Sequence, residues 1–100
     1  MIKHIVMWKF KKDIREDEKT ALKTAMKVEL EALVGKVPGL VSLEFIGEPF
    51  STSTHDMALV SELETKKVLT EYSDHPSHIA VADTYVRPFV CDRSCLDYEM

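Results

Sequence analysis

The sequence predicts one α+β domain with the element order strand, helix, strand, strand, broken helix, strand. Residues 2–10, 40–47 and 56–63 alternate between two faces as strands do, residues 13–34 repeat apolar side chains at helical spacing, and a His-Pro pair divides a second helical region. The chain has 100 residues, 45% of them hydrophobic, so it can bury a core. A domain of this size still exposes much of its surface, which favours oligomers.

The first strand, residues 2–10, is largely apolar on both faces, which predicts that both sides are covered. Its alternation places His4, Val6 and Trp8 on one face and Ile5 and Met7 on the other. A helix then begins at Asp13 or Asp17 and ends at Val34, and Gly35 suits the position just after its end. The apolar face of this helix consists of Leu22, Met26, Leu30, Leu33 and Val37.

Two more strands and a polar loop follow. The second strand spans residues 40–47 and the third spans residues 56–63. Their apolar faces carry Leu43 and Phe45 in the second strand and Met57, Leu59 and Leu63 in the third. Residues 48–55 lack periodicity and form the loop between them, in which we expect His55 to be exposed. Thr65 is placed to cap the next helix.

The stretch from Glu71 to His78 is the strongest candidate for a site. It spaces Tyr72, His75 and His78 three residues apart around Pro76. The proline ends one helix and suits the first position of another, which puts His75 at the N-cap and His78 in the first turn. The helix dipole there favours a neutral imidazole that can accept a proton, and the Tyr72 hydroxyl could complement it. The ordinary alternative is that His-Pro only separates two helices and that both histidines are solvated.

The chain ends with a third helix and a fourth strand. The helix stops near Pro88, because proline cannot continue it, and the strand covers residues 93–99. The apolar face of this helix consists of Ile79, Ala82, Tyr85, Val86 and Phe89. Cys91 and Cys95 lack a second pair, so we interpret them as reduced packing residues.

Composition and charge exclude several classes of function. The net charge is -4 and no strong basic cluster is present, which argues against a nucleic-acid partner. No apolar run is long enough to span a membrane, and we expect a cytoplasmic protein that needs no cofactor. A metal site would require His4, His75 and His78 to converge, and no helical spacing of histidines supports one, so we predict none.

The element order is that of a ferredoxin-like domain, in which an antiparallel four-stranded sheet carries its helices on one face. The helices leave the other sheet face uncovered. Since that face is apolar, we predict that it packs on an identical sheet in a two-fold dimer. The predicted interface contains Ile5, Met7, Ala58 and Val60.

Several motifs in sequence order resemble the stress-responsive A/B barrel (Dabb) domain family. They are His4-Ile5-Val6-x-x-Lys9-Phe10, Gly35-Lys36-Val37-Pro38-Gly39-Leu40 with Ser42-Leu43-Glu44, Asp56-Met57-Ala58-Leu59-Val60-Ser61-Glu62, Tyr72-x-x-His75-Pro76-x-His78 and Asp97-Tyr98-Glu99. Together they span nearly the whole chain. The resemblance implies a dimeric α+β barrel made of two ferredoxin-like sheets packed face to face, with the helices outside.

The same resemblance implies where a site would lie. A plant polyketide cyclase similar in fold uses the tyrosine and the second histidine of the Tyr-x-x-His-Pro-x-His stretch as an acid/base pair, matching Tyr72 and His78. A first-strand histidine in its pocket matches His4, whereas a third-strand pocket histidine aligns with Met57. That departure removes a polar group and weakens the expectation of the same substrate. From the residues alone, His4 could equally be a core histidine bonded to a backbone carbonyl.

We therefore expect a small apolar or aromatic ligand between the sheet and the helices, with no assigned activity. One alternative is a cofactor-independent cyclase or lyase that uses Tyr72 and His78, and a weaker one is a monooxygenase of similar architecture. The residues expected to bind the ligand are His4, Val6, Trp8, Met26, Met57, Leu59, His75, Ala82 and Phe89.

Overall fold

The computed structural model describes residues 1–100 and confirms the ferredoxin-like α+β fold. All strand pairs are antiparallel and the sheet order is β2-β3-β1-β4. The strands are β1 (Ile2–Phe10), β2 (Leu40–Ile46), β3 (Met57–Leu63) and β4 (Val90–Glu99). The helices are α1 (Glu16–Glu31), α2 (Lys66–Asp74) and α3 (Pro76–Val81), and a π-helical turn (Ala82–Val86) continues α3. None of these helices combines the length and apolarity that a membrane crossing requires.

One face of the sheet packs on the helices and forms the core. The even-numbered residues of β1 lie on this face, and His4 is the one polar side chain among them. The predicted helix face is also correct, because Met26, Leu30 and Leu33 are fully buried. α1 ends at Glu31, three residues before the predicted end, and Gly35 lies beyond it with a φ of +93°.

The other face of the sheet has an apolar centre and a polar edge. The register aligns Ile5 with Val60 and Leu96 across three strands. The next row aligns Met7 with Ala58 and, through β3, Ala58 with Ile46. We call these six residues the apolar sheet patch: Ile5, Met7, Ile46, Ala58, Val60 and Leu96. No helix of the chain covers this patch, and Leu96 is 60% exposed.

The second helical region begins and breaks where the sequence predicts. The Thr65 hydroxyl accepts a hydrogen bond from the Val68 amide, which caps α2. The His75 backbone is extended, Pro76 is the first residue of α3, and the Ser77 amide donates to Nδ1 of His75. His75 is therefore a capping residue at the corner between two helices.

The end of this region differs from the predicted regular helix. A π-helical turn follows α3, and the Arg87 amide donates to the Ala82 carbonyl at 2.8 Å. Pro88 then lacks the amide that a further turn would need. Ala82 and Val86 point into the core, whereas Ile79 is 39% exposed. The assignment of Ile79 to the apolar face was wrong, because the helix presents that position to solvent.

β4 begins at Val90, earlier than predicted, and contains a bulge. The register with β1 shifts between Met7 and Lys9, so β4 has one extra residue there. Asp92 takes up the bend with a φ of +52°, a conformation that aspartate tolerates better than most residues.

Gly39, between α1 and β2, gives a direct test of the packing of α2. Its φ is +83°, and an added Cβ would lie 2.7 Å from both Val68 methyl groups. We expect Gly39→Ala to lower the free energy of unfolding by about 2 to 3 kcal/mol, because backbone strain adds to overpacking. Gly35→Ala is the matched control, since its φ is +93° and its Cβ would meet nothing within 4 Å. Equal losses in urea unfolding of both variants would contradict this packing.

Candidate functional site

A cavity of about 120 Å³ lies between the helix-facing side of the sheet and the second helical region. The sheet contributes residues from β1, β3 and β4, and the helices contribute residues from α1, α2, α3 and the π-helical turn. The lining residues are His4, Val6, Trp8, Leu30, Leu59, Tyr72, Ser73, His78, Ala82, Val86, Arg87 and Arg93.

Tyr72 lies in the last turns of α2 and is 1% exposed. Its hydroxyl is the one buried side-chain polar atom of the chain without a hydrogen-bond partner. Burial raises the pKa of Tyr72 to about 12, so the hydroxyl keeps its proton at neutral pH. An unpaired buried hydroxyl costs about 1 to 3 kcal/mol. A ligand oxygen that accepted its proton in a hydrogen bond would recover part of that cost.

His78 faces Tyr72, with 4.3 Å between the ring centroids and 44° between the ring planes. Nδ1 of His78 lies 3.2 Å from the Ser73 carbonyl oxygen, which can only accept, so Nδ1 carries the proton. In the neutral ring, Nε2 is then free to accept a proton. Burial lowers the pKa of His78, and this effect outweighs the opposing hydrogen bond to Ser73. This direction favours the neutral imidazole that the sequence predicts, and burial is its largest cause.

His4 is bonded through Nδ1 to the carboxylate of Asp97, its partner across β1 and β4. Its side chain is 8% exposed, and its ring lies edge-on to Tyr72 at a centroid distance of 6.2 Å. His4 thus lines the cavity and is held by a carboxylate instead of a backbone carbonyl. The cavity brings together a tyrosine hydroxyl, the His78 imidazole and the His4 imidazole.

Four of the residues expected to bind a ligand lie elsewhere. Met26 and Met57 are buried in the core outside the cavity, and Phe89 is half-buried beyond it. Leu30, one helical turn after Met26, supplies the wall that was assigned to Met26. His75 is held at the helix corner by its hydrogen bond to the Ser77 amide. The cavity brings together the other expected residues, namely Tyr72, His78, His4, Val6, Trp8, Leu59 and Ala82.

Two arginines of the lining were missed by the sequence analysis. Arg87 follows the π-helical turn and pairs with Asp83, whereas Arg93 follows the β4 bulge and forms no salt bridge within the chain. No local signal marks either one, because a bulge and a π-helical turn bring them to the cavity. The expected exposed position of His55 was also wrong. It is half-buried, and its Nε2 lies 3.3 Å from the Ser94 hydroxyl.

The two cysteines are not disulfide-bonded. Cys91 is half-buried and its thiol donates to the Phe10 carbonyl at 3.5 Å. Cys95 is exposed, which corrects its assignment as a packing residue: it lies on β4, an edge strand, and its thiol lies 3.6 Å from the Asp97 carboxylate. Burial and the Asp97 charge raise the pKa of the Cys95 thiol.

The sequence profile of the stress responsive A/B barrel domain family matches residues 2–100. No curated protein matches the chain. Among solved structures, a dimeric ferredoxin-like protein of unknown function from Bacteroides fragilis is 29% identical, with a TM-score of 0.90 over 99% of this chain and 95% of that one.

Two more distant structures share the fold. A Dabb family protein from Mesorhizobium loti is 20% identical, with a TM-score of 0.74 over 99% of this chain and 95% of that one. A candidate antibiotic biosynthesis monooxygenase from Nitrosomonas europaea is 18% identical, with a TM-score of 0.74 over 100% of this chain and 98% of that one. Proteins with this fold thus carry different functional descriptions.

Proposed function

Because this chain belongs to the stress responsive A/B barrel domain family, we propose that it is a homodimeric, cytoplasmic barrel protein that binds a small apolar or aromatic molecule. The ligand occupies the cavity between the sheet and the helices. Tyr72 and His78 supply its polar contacts, and His4 lies at the cavity floor.

The apolar sheet patch supports the dimer. It is contiguous across all four strands, and its exposed members include Leu96, Ile46 and Met7. The Bacteroides fragilis protein, which is similar over nearly the whole chain, is described as dimeric. Two copies related by a two-fold axis would bury the same patch against itself, which is the usual arrangement in symmetric dimers.

The unpartnered Tyr72 hydroxyl is the observation that carries the binding proposal. Buried polar groups in folded proteins nearly always have a partner, and exceptions call for an explanation such as a ligand or a water molecule. Here the hydroxyl lies in the wall of a cavity that also contains apolar side chains from Val6, Leu59 and Ala82. A binding site of this type needs mostly apolar walls and a few placed polar groups.

The size of the cavity limits what can enter it. A volume of about 120 Å³ is close to that of an engineered apolar cavity, about 150 Å³, that accepts benzene. One aromatic ring therefore fits, and a longer molecule must extend past Arg87 and Arg93 toward solvent. A phenol suits the site better than a hydrocarbon, because its oxygen can accept from Tyr72 and its proton can bond to His78.

Cavity filling tests this proposal. At a phenol concentration tenfold above the dissociation constant, we expect stabilisation of about 1.4 kcal/mol and a rise in melting temperature of about 6 °C. Ala82→Leu should abolish this shift, because its side chain occupies the cavity. Ala21→Leu, at an exposed position of α1, is the matched control and should keep the shift. Undiminished stabilisation of Ala82→Leu by phenol would contradict binding in this cavity.

A second candidate function is a cofactor-independent cyclase or lyase that acts on a β-keto or polyketide-like substrate. The contact between the Tyr72 and His78 rings supports it, since one group holds its proton and the other can accept one. His78 would remove a proton next to a carbonyl, and the Tyr72 hydroxyl would donate a hydrogen bond to the resulting enolate oxygen. A monooxygenase is a weaker alternative, supported by architecture alone.

A further inference from the structure

Three side chains with different metal-binding atoms converge beside the cavity. Cys95 and Asp97 are two residues apart on β4, so both project from the same face of the sheet. The register with β1 places Asp97 opposite His4 and Cys95 opposite Val6. The nitrogen, sulfur and carboxylate oxygen of this cluster lie within 4.8 Å of one another.

We propose that His4, Cys95 and Asp97 form a binding site for a divalent transition-metal ion, with Zn²⁺ as the best match. Zinc accepts imidazole nitrogen, thiolate sulfur and carboxylate oxygen together, whereas Mg²⁺ and Ca²⁺ require oxygen ligands. This site is distinct from the Tyr72–His78 pair. It does not depend on the proposed ligand binding.

The distances fit a tetrahedral ion. Zinc binds sulfur at about 2.3 Å and nitrogen or oxygen at about 2.0 to 2.1 Å. At tetrahedral angles these bond lengths put a nitrogen or oxygen ligand about 3.6 Å from the sulfur ligand. The Cys95 sulfur lies 3.8 Å from Nδ1 of His4 and 3.6 and 3.7 Å from the two carboxylate oxygens of Asp97. The distances from the Cys95 sulfur to the His4 nitrogen and to the Asp97 carboxylate therefore need almost no adjustment.

The distance between Nδ1 of His4 and the Asp97 carboxylate oxygen must increase when the ion binds. A hydrogen bond joins Nδ1 of His4 to the Asp97 carboxylate, so these atoms lie closer than two zinc ligands do. The ion takes the place of the hydrogen in this bond: the proton of the neutral His4 ring moves from Nδ1 to Nε2 by exchange with solvent, Nδ1 becomes a ligand, and the Cys95 thiol releases its proton to solvent. Asp97 and Cys95 are exposed on an edge strand, which gives their side chains room for the movement.

The charges of the site also balance. A thiolate and a carboxylate together neutralise the charge of a divalent ion. Three protein ligands leave the fourth position to water or to a ligand, as in catalytic rather than structural zinc sites. His4 lies in the cavity wall, so the proposed site adjoins the cavity. No local pattern marks this site, because His4 lies 91 residues from Cys95 along the chain.

Cobalt substitution tests the site in the full-length, tag-free protein. We expect Co²⁺ to bind one ion per chain with a cobalt–thiolate charge-transfer absorption, and Zn²⁺ but not Mg²⁺ to displace it. Cys95→Ser should lose this absorption, and Asp97→Asn should weaken binding while the fold is unchanged by circular dichroism.

Cys91→Ser is the matched control, because its thiol donates to the Phe10 carbonyl and lies outside the cluster. It should bind cobalt as the unmodified protein does. No charge-transfer absorption in the unmodified protein, or absorption that persists in Cys95→Ser, would overturn the proposal. Phenol stabilisation of the metal-free protein is measured separately, so failure of one proposal leaves the other testable.

Discussion

Ile5→Asp is expected to separate the dimer into monomers. Ile5 lies at the centre of the apolar sheet patch, in the row that it forms with Val60 and Leu96. A two-fold interface would bury two copies of the new carboxylate without partners, at about 3 to 5 kcal/mol for each. Even one such penalty raises the dissociation constant about a thousandfold. Sedimentation velocity at micromolar concentration should show a dimer for the unmodified chain and a monomer for Ile5→Asp.

Val28→Asp is the matched control for this change. Val28 is 60% exposed on α1, on the opposite side of the molecule from the apolar sheet patch, and receives the same added charge. It should remain dimeric. We also expect Ile5→Asp to lose folding stability, since dissociation removes the burial of the patch. A monomeric unmodified protein, or a dimer that persists in Ile5→Asp, would contradict a dimer through this sheet face.

His78→Ala is expected to abolish turnover if the chain acts on an aldol-prone polyketide surrogate. A positioned proton-transfer group contributes about 10²- to 10⁴-fold, and the loss should fall in this range with the oligomeric state unchanged. Tyr72→Phe should lower turnover with little effect on surrogate binding, because it removes the hydroxyl and keeps the aromatic ring. His55→Ala, a half-buried histidine outside the cavity, should leave turnover unchanged. Equal turnover by the unmodified protein and His78→Ala would exclude the cyclase candidate.

The protonation of His78 predicts how both turnover and the free energy of unfolding depend on pH. Burial lowers the pKa of His78 from 6.5, so its neutral form dominates at pH 7 and turnover should decline only at pH values below 6.5. Below pH 6.5 the unfolded chain binds more protons at this position than the folded chain. The free energy of unfolding should therefore fall as the pH drops through this region. The decrease assigned to this group should be absent in His78→Ala.

Local patterns predicted the elements of the fold because each depends on neighbours in sequence. The alternation of side chains along β1 identified the two faces of the sheet. Thr65 marked the start of α2 because its hydroxyl caps the helix, and Pro76 marked the start of α3 because proline lacks an amide hydrogen. The spacing around Pro76 indicated Tyr72 and His78 as a site pair, and the family resemblance implied the same two residues. The structure places these two rings in contact at the cavity wall.

Features that depend on pairing between distant residues could not be predicted. The link between His4 and Asp97 requires the register of β1 with β4, and the approach of Arg93 to the cavity requires the bulge at Asp92. The position of α1 along its own axis decides whether Met26 or Leu30 reaches the cavity, because both lie on one apolar stripe, one helical turn apart. Such details arise from packing, which sequence periodicity does not specify.

Two-dimensional NMR of the isotope-labelled protein during a phenol titration shows directly whether the ligand binds between the sheet and the helices. Binding in the cavity predicts that the largest chemical-shift changes occur at the side chains that line it, with saturation at one phenol per chain. The side chains expected to show these changes are Val6, Leu59, Tyr72, His78 and Ala82. Changes confined to the apolar sheet patch, or no saturable change at these five residues, would contradict a ligand site between the sheet and the helices.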